Sequence, residues 1–168
     1  STLLVYVCTG TEGEIKEWFE TINIAGVPLN KQELRNAIYS GPFVTAAKAE
    51  FSNSQNALQQ KWSHFVKGDP KRQEVLQEAL DWVSSSKKQS IDGYMAAHRT
   101  DTNINELKTY FTSVIDWIDS VFIAPPDPAM KGLDWGALYE EHKGTAYKAD
   151  KLDTRLQELL GEIGRAHV

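Results

Sequence analysis

Apolar positions recur at helical spacing along most of this chain and at strand-like density in one place. Leu3-Leu4-Val5-Tyr6-Val7-Cys8 is a continuous run rich in β-forming residues, closed by Thr9-Gly10. That is the pattern of a short strand buried on both faces. Beyond Gly10 the spacing predicts helix after helix. Thr11 and Glu14 form a capping-box pattern ahead of Ile15, Trp18, Phe19 and Ile22. Asn23 to Pro28 reads as a loop. Asn30 with Glu33 opens a second capped helix whose expected inward face is Leu34, Ala37 and Ile38. Ser40-Gly41-Pro42 interrupts it, and Pro42 suits the first turn of a helix bearing Phe43, Val44, Ala47 and Phe51.

The same alternation continues. Asn53-Ser54 restarts a helix with Leu58, Trp62 and Phe65, and Asp69-Pro70 predicts the cap and first turn of one carrying Val75, Leu76, Ala79, Leu80 and Val83. Ser84 to Ser90 is a polar, Lys-containing loop, and Ile91 to His98 a short helix. Asn103 with Glu106 opens the most regular amphipathic helix, with Ile104, Leu107, Phe111, Val114, Ile115, Ile118 and Phe122 on one face. Ala124-Pro125-Pro126-Asp127-Pro128 ends it, because proline removes a donor and clashes with the preceding turn. Trp135 to His142 and Asp150 to Leu160 complete a chain of one strand and about eight helices. Trp62, Trp82, Trp117 and Trp135 are expected core anchors.

Composition narrows the function classes. Hydrophobic residues make up 41% and charged residues 24% of 168, enough apolar material for a core and too little charge for a disordered chain. Lys and Arg number 18 against 23 acidic residues, a net charge of −5. Nonspecific DNA grip comes from neutralised phosphates, so this acidic chain is not expected to be a main DNA-binding surface. The single cysteine, Cys8, excludes an intrachain disulfide and reads as a small buried hydrophobe. No apolar run approaches the roughly 20 residues of a membrane span and no signal peptide is visible, so a cytoplasmic location without membrane contact is expected. Phosphate-loop, zinc-protease and nucleophile-elbow motifs are absent, and His64, His98, His142 and His167 are scattered. Spacing alone therefore displays no catalytic centre and no metal site. The chain opens at Ser1 inside the strand-like run, so partner strands are expected upstream. Residues 163–168, Ile-Gly-Arg-Ala-His-Val, resemble a translated sequencing adapter and are set apart from the fold.

The most informative stretch is Trp18 to Phe43. A helix is expected to end at Asn23, a loop containing Gly26 turns the chain, and a capped helix restarts at Asn30, with Gln32, Glu33, Arg35 and Asn36 at the junction. Free N–H groups at such a helix start favour an anion such as phosphate. Phe19-x-x-x-Asn23, followed by Gly26, Leu29 and Gln32-Glu33-Leu34-Arg35-Asn36, resembles the N-terminal domain of GmrSD-type restriction endonucleases. The likeness extends through Lys71-Arg72-Gln73-Glu74, His98-Arg99-x-Asp101-x-Asn103 and Gly132-Leu133-x-Trp135.

That resemblance implies a mainly α chain: a β-strand remnant of a ParB/sulfiredoxin-like α/β lobe followed by a multi-helix bundle. Residues 1–45 would be the C-terminal part of the nucleotide-binding lobe and 46–162 a helical subdomain. It implies a parent that hydrolyses a nucleoside triphosphate with a divalent metal (Mg) and cuts modified or foreign DNA. The parent's Asp-Gly-Gln-Gln-Arg motif and HNH nuclease domain do not occur in these residues, so the chain alone would be inactive and hold no cofactor of its own. Nucleotide-binding candidates are Phe19, Asn23, Gln32 and Arg35, with Gly26, Asn30, Glu33 and Asn36 as loop and cap support. His98 and Arg99 are candidates for DNA or interdomain contact, and self-association is compatible. Ordinary readings stand beside these, His98 and Arg99 being equally a helix end followed by an Asn cap at Asn103. Phe19 shares the stripe of Ile15 and Ile22, Asn23 suits a left-handed helix end, Glu33 a capping partner and Arg35 a solvated helix face. The sequence equally admits a helical interaction module, or a ParB-like DNA-binding regulator without cleavage.

Overall fold

The computed structural model describes residues 23–24, 27–53, 61–121 and 128–144, with side chains from residue 28 onward. The expected strand Leu3 to Cys8, the helix bearing Phe19, Gly26, Leu58, Phe122, the helix Asp150 to Leu160 and the adapter-like tail lie outside the described residues. Within them the protein is mainly helical. A minimal antiparallel hairpin, β1 (Asn23–Ile24) and β2 (Val27–Pro28), is followed by α1 (Lys31–Ile38), α2 (Pro42–Phe51), α3 (Glu74–Ser86), α4 (Ile91–His98), α5 (Asn105–Val121) and α6 (Trp135–His142). Two 3-10 turns, Pro70–Arg72 and Pro128–Met130, shape the connections. The hairpin replaces the loop expected at Asn23 to Pro28: Asn23 pairs with Pro28 and Ile24 with Val27.

α3 is the central helix, touching α1, α2, α4, α5 and α6. Its sequence explains why. Val75, Leu76, Ala79, Leu80, Trp82 and Val83 recur at three- and four-residue steps wide enough to face neighbours on several sides, and all are buried. α5 packs against it and buries Leu107, Phe111, Val114, Ile115 and Ile118. The aromatics interlock. Phe111 stacks on Trp82 with centroids 5.2 Å apart and meets Phe51 edge-on at 5.1 Å. Phe65 meets Trp135 edge-on, and the Trp135 indole N–H donates to the Met130 carbonyl at 2.9 Å. The expected anchors Trp62, Trp82, Trp117 and Trp135 are all buried. Each buried Val, Leu, Ile, Phe or Met around them contributes about 1.5–3 kcal/mol relative to exposure.

Caps set most boundaries. The Asn30–Glu33 capping box forms at α1, Pro42 occupies the first turn of α2, Ser90 caps α4 through the Gly93 N–H, and Asp134 caps α6 through the Ala137 N–H. Four expectations are corrected. Asp69 caps the 3-10 turn rather than a continuous helix, because Gln73 adopts a left-handed conformation (φ 64°) and α3 begins only at Glu74. α3 runs on to Ser86, into the expected loop, its serine hydroxyls bonding back to carbonyls of the preceding turn. At α5, Asn103 receives the Asn105 N–H, whereas Glu106 leaves the cap to accept from Tyr94 and pair with Lys87. Finally, α1 buries Gln32 and Asn36 as well as Leu34, so its buried surface is not the apolar stripe Leu34, Ala37 and Ile38.

Candidate functional site

The candidate residues of α1 converge on one polar cluster where the hairpin, α1, α2, α3 and α4 meet. It starts at the helix cap. The Glu33 N–H donates to Asn30 Oδ1 at 2.9 Å, and the Asn30 N–H donates to Glu33 Oε1 at 3.0 Å. These two reciprocal bonds occupy donors that the sequence pattern left free for an anion. Arg72 then closes over the cap. Its guanidinium donates to Glu33 Oε1 at 2.8 Å and to the Pro28 carbonyl at 3.1 Å, and its own carbonyl accepts from Asn30 Nδ2 at 2.8 Å. Partial burial pushes the Glu33 carboxyl upward, but hydrogen bonds from Arg72 and the Asn30 N–H outweigh it and hold the carboxyl below its ordinary value. Glu33 in turn stabilises the Arg72 cation.

One turn further, the amides form a chain. Gln32 is fully buried; its Nε2 donates to Asn36 Oδ1 at 2.9 Å and approaches Met95 Sδ at 3.5 Å. Asn36 Nδ2 donates to Gln73 Oε1 at 3.2 Å, and Gln73 Nε2 donates to Ser52 Oγ at 2.9 Å. Arg35 lies at the edge, donating to Gln32 Oε1 at 3.2 Å and to Asp92 at 3.4 Å, while the Tyr39 hydroxyl donates to the other Asp92 oxygen. Buried polar groups are tolerated when they satisfy one another, and this set does so across several elements.

Asn30, Gln32, Glu33, Arg35 and Asn36 thus belong to one cluster. Asn23 stands in β1, paired across the hairpin with Pro28, the residue whose carbonyl Arg72 holds. Phe19 and Gly26 lie outside the described residues. His98 and Arg99 belong to a separate junction. His98 stacks on Tyr94 (4.1 Å) and Phe43 (5.8 Å), and its Nδ1 lies 2.7 Å from Asp101. Arg99 donates to the Ser40 carbonyl, tying the end of α4 to the α1–α2 turn. Sequence reasoning did not single out Arg72, Gln73 and Asp92 as site members. Arg72 and Gln73 stood in a likeness motif, but nothing in their spacing shows that they cross to α1.

A second feature was not foreseen. Between α3 and α6 lies a cleft of about 540 Å³ lined by Asp81, Asp134, Glu140 and Glu141, with Trp82 and Gly136 among its other lining residues. Burial raises the Asp81 carboxyl, and repulsion from Asp134 adds to it. Burial likewise raises neighbouring Glu78, with repulsion from Asp81 and Asp134 adding to it. At the α6 end, Glu140 accepts from the Tyr110 hydroxyl at 2.6 Å and pairs with Lys143. Among the described residues no group of three His, Cys, Asp or Glu side chains is placed to hold a metal ion, and no helix is long and apolar enough to cross a membrane.

No protein-family model matches the chain, and neither a curated protein nor a solved structure is significantly similar to it.

Proposed function

We propose that this chain is part of a nucleotide-dependent DNA restriction endonuclease acting against modified or foreign DNA, and that it supplies part of the nucleotide-binding lobe together with its helical extension. The reading rests on the likeness of Phe19-x-x-x-Asn23, Gly26, Leu29 and Glu33-Leu34 to GmrSD-type N-terminal domains. One geometric observation supports it most. The hairpin carrying Asn23 leads directly into the capped start of α1, and Arg72 fastens both to the helical bundle. Such a joint links a nucleotide-binding lobe to its helical extension.

In this reading Asn23 is the principal contact, its amide able to donate to a phosphate or ribose oxygen and accept from the base or a loop N–H. Arg35 has a partly exposed side chain that takes no part in the cap, and it would exchange Asp92 for a phosphate. Gln32, Glu33 and Asn36 act by positioning α1. The parent's Asp-Gly-Gln-Gln-Arg segment would supply the opposite wall and ligands for the divalent ion, and its nuclease domain the cleavage chemistry.

The test is DNA cleavage by the intact protein encoded by the complete gene. Cutting of modified DNA that requires a hydrolysable nucleoside triphosphate, and that Asn23→Ala abolishes, is the expected result. Cutting indifferent to nucleotide, or a complete gene with neither motif, overturns the proposal.

A helical protein-interaction module is the second reading, favoured by the acidic cleft between α3 and α6. It predicts a stable complex in sizing experiments that Asp81→Asn weakens, and no nucleotide binding by the intact protein.

A further inference from the structure

Three observations set α1 apart from the rest of the bundle. The first is what it buries. Gln32 and Asn36, one turn apart, turn their amides inward and link through Gln73 to Ser52. The second is where its apolar side chains go. Leu34 is buried but lies about half a turn round the helix from Gln32, and it is not among the side chains that form the continuous core. Ile38 packs against that core only in part. The third is a strained backbone at the contact. Gln73 holds φ 64°, a conformation that residues other than glycine, asparagine and aspartate rarely adopt. Its side-chain amide is held from both sides, by Asn36 and by Ser52.

We propose that α1 is a separately releasable element, clasped to the bundle by the Gln32–Asn36–Gln73 amide chain and able to open without unfolding the α3–α5 core. The physical asymmetry is between amides and hydrocarbon. When α1 leaves, the amides exchange each other for water, so the net loss per hydrogen bond is small. The core of α3 and α5 has no such alternative to its apolar contacts. Release breaks the Gln73–Asn36 bond, one of the two side-chain bonds made by this left-handed residue. The open form presents Gln32, Arg35 and Asn36 to solvent together, which makes the clasp a conformational control on that polar face. The inference concerns the joint itself and holds with or without a nucleotide.

Native-state amide hydrogen exchange on the whole chain, across sub-denaturing urea, tests it. Amides of α1 should exchange through an opening nearly independent of urea and at least about tenfold more frequent than the opening that exposes Val75–Val83 of α3. Gln73→Asn keeps a residue suited to the left-handed backbone but shortens the side chain so that it cannot reach both partners. It should make α1 opening roughly tenfold more frequent again while leaving α3 and α5 unchanged. The proposal is overturned if wild-type α1 opens only in the urea-dependent global event, or if Gln73→Asn accelerates α3 and α5 as much as α1. Should the variant fail to fold, the wild-type urea dependence alone decides.

Discussion

At Gly136 a missing side chain sets the approach of two helices. A Cβ there would stand 2.5 Å from Trp82 Cδ1 and 2.8 Å from Cγ. Trp82 is itself locked against Phe111 and cannot swing away. Gly136→Ala should therefore lower stability by roughly 1–3 kcal/mol despite alanine's better helix propensity, read as a fall in the denaturation midpoint. Gly136→Ala leaving the midpoint unchanged or raised would show that α6 is not seated on Trp82 as described. The acidic cleft makes the opposite kind of prediction. Glu78 and Asp81 titrate above their ordinary values of 4.5 and 3.8, first because of burial, then because Asp81 and Asp134 repel Glu78 and Asp134 repels Asp81. A carboxyl whose pKa is raised by folding stabilises fully below its unfolded pKa and loses that contribution as pH rises through the folded one. Asp134→Asn keeps a side-chain oxygen for the Ala137 cap and removes the repelling charge. It should stabilise the protein at neutral pH by a few tenths to about 1 kcal/mol, with the gain shrinking near pH 4. A gain equally large in acid would mean that repulsion is not its source.

At the scale of elements, two caps read from the sequence start the helices expected of them. Asn30–Glu33 and Pro42 are local signals, decided by residues within four positions of one another. Ser90 and Asp134 cap α4 and α6 in the same local way, though the sequence reading did not use them. Ile91–His98 and Trp135–His142 have the ends that periodicity predicts. What was not legible depends on distant partners. Gln73 is left-handed where the Pro70–Arg72 turn meets α3, with its side chain bonded to Asn36 and Ser52, and Glu106 deserts the α5 cap because Tyr94 and Lys87 compete for it. Likewise Gln32 reads as a polar junction residue in the sequence, yet it is fully buried once α4 brings Met95 against it. The capping box is tied to tertiary structure through Arg72, which gives a further expectation. Asn30→Ala removes both the cap oxygen and the donor to the Arg72 carbonyl, so it should cost more than the roughly 1 kcal/mol of an isolated cap, whereas Asn30→Asp keeps the cap oxygen and should cost less. Equal losses in the two variants, measured by chemical denaturation, would show that the cap oxygen contributes nothing.

For the whole molecule, a helical bundle centred on α3 carries at one corner a polar joint from which the Asn23 hairpin projects. The acidic balance of the chain agrees with the proposed role away from the DNA backbone. Acid should act on it in two steps. Protonation of Glu78 and Asp81 relieves repulsion first, and loss of the lowered carboxylates Glu33, Glu106 and Glu140 then weakens the fold at lower pH. A stability maximum on the acidic side of neutrality, followed by a decline, is the expected profile in thermal melts across pH. The most direct test of a nucleotide-holding role is equilibrium binding of a nucleoside triphosphate with magnesium to the intact protein, wild type against Asn23→Ala. Saturable binding that Asn23→Ala weakens by about tenfold or more is the predicted result. No binding by the wild-type protein, or identical binding by the variant, contradicts it.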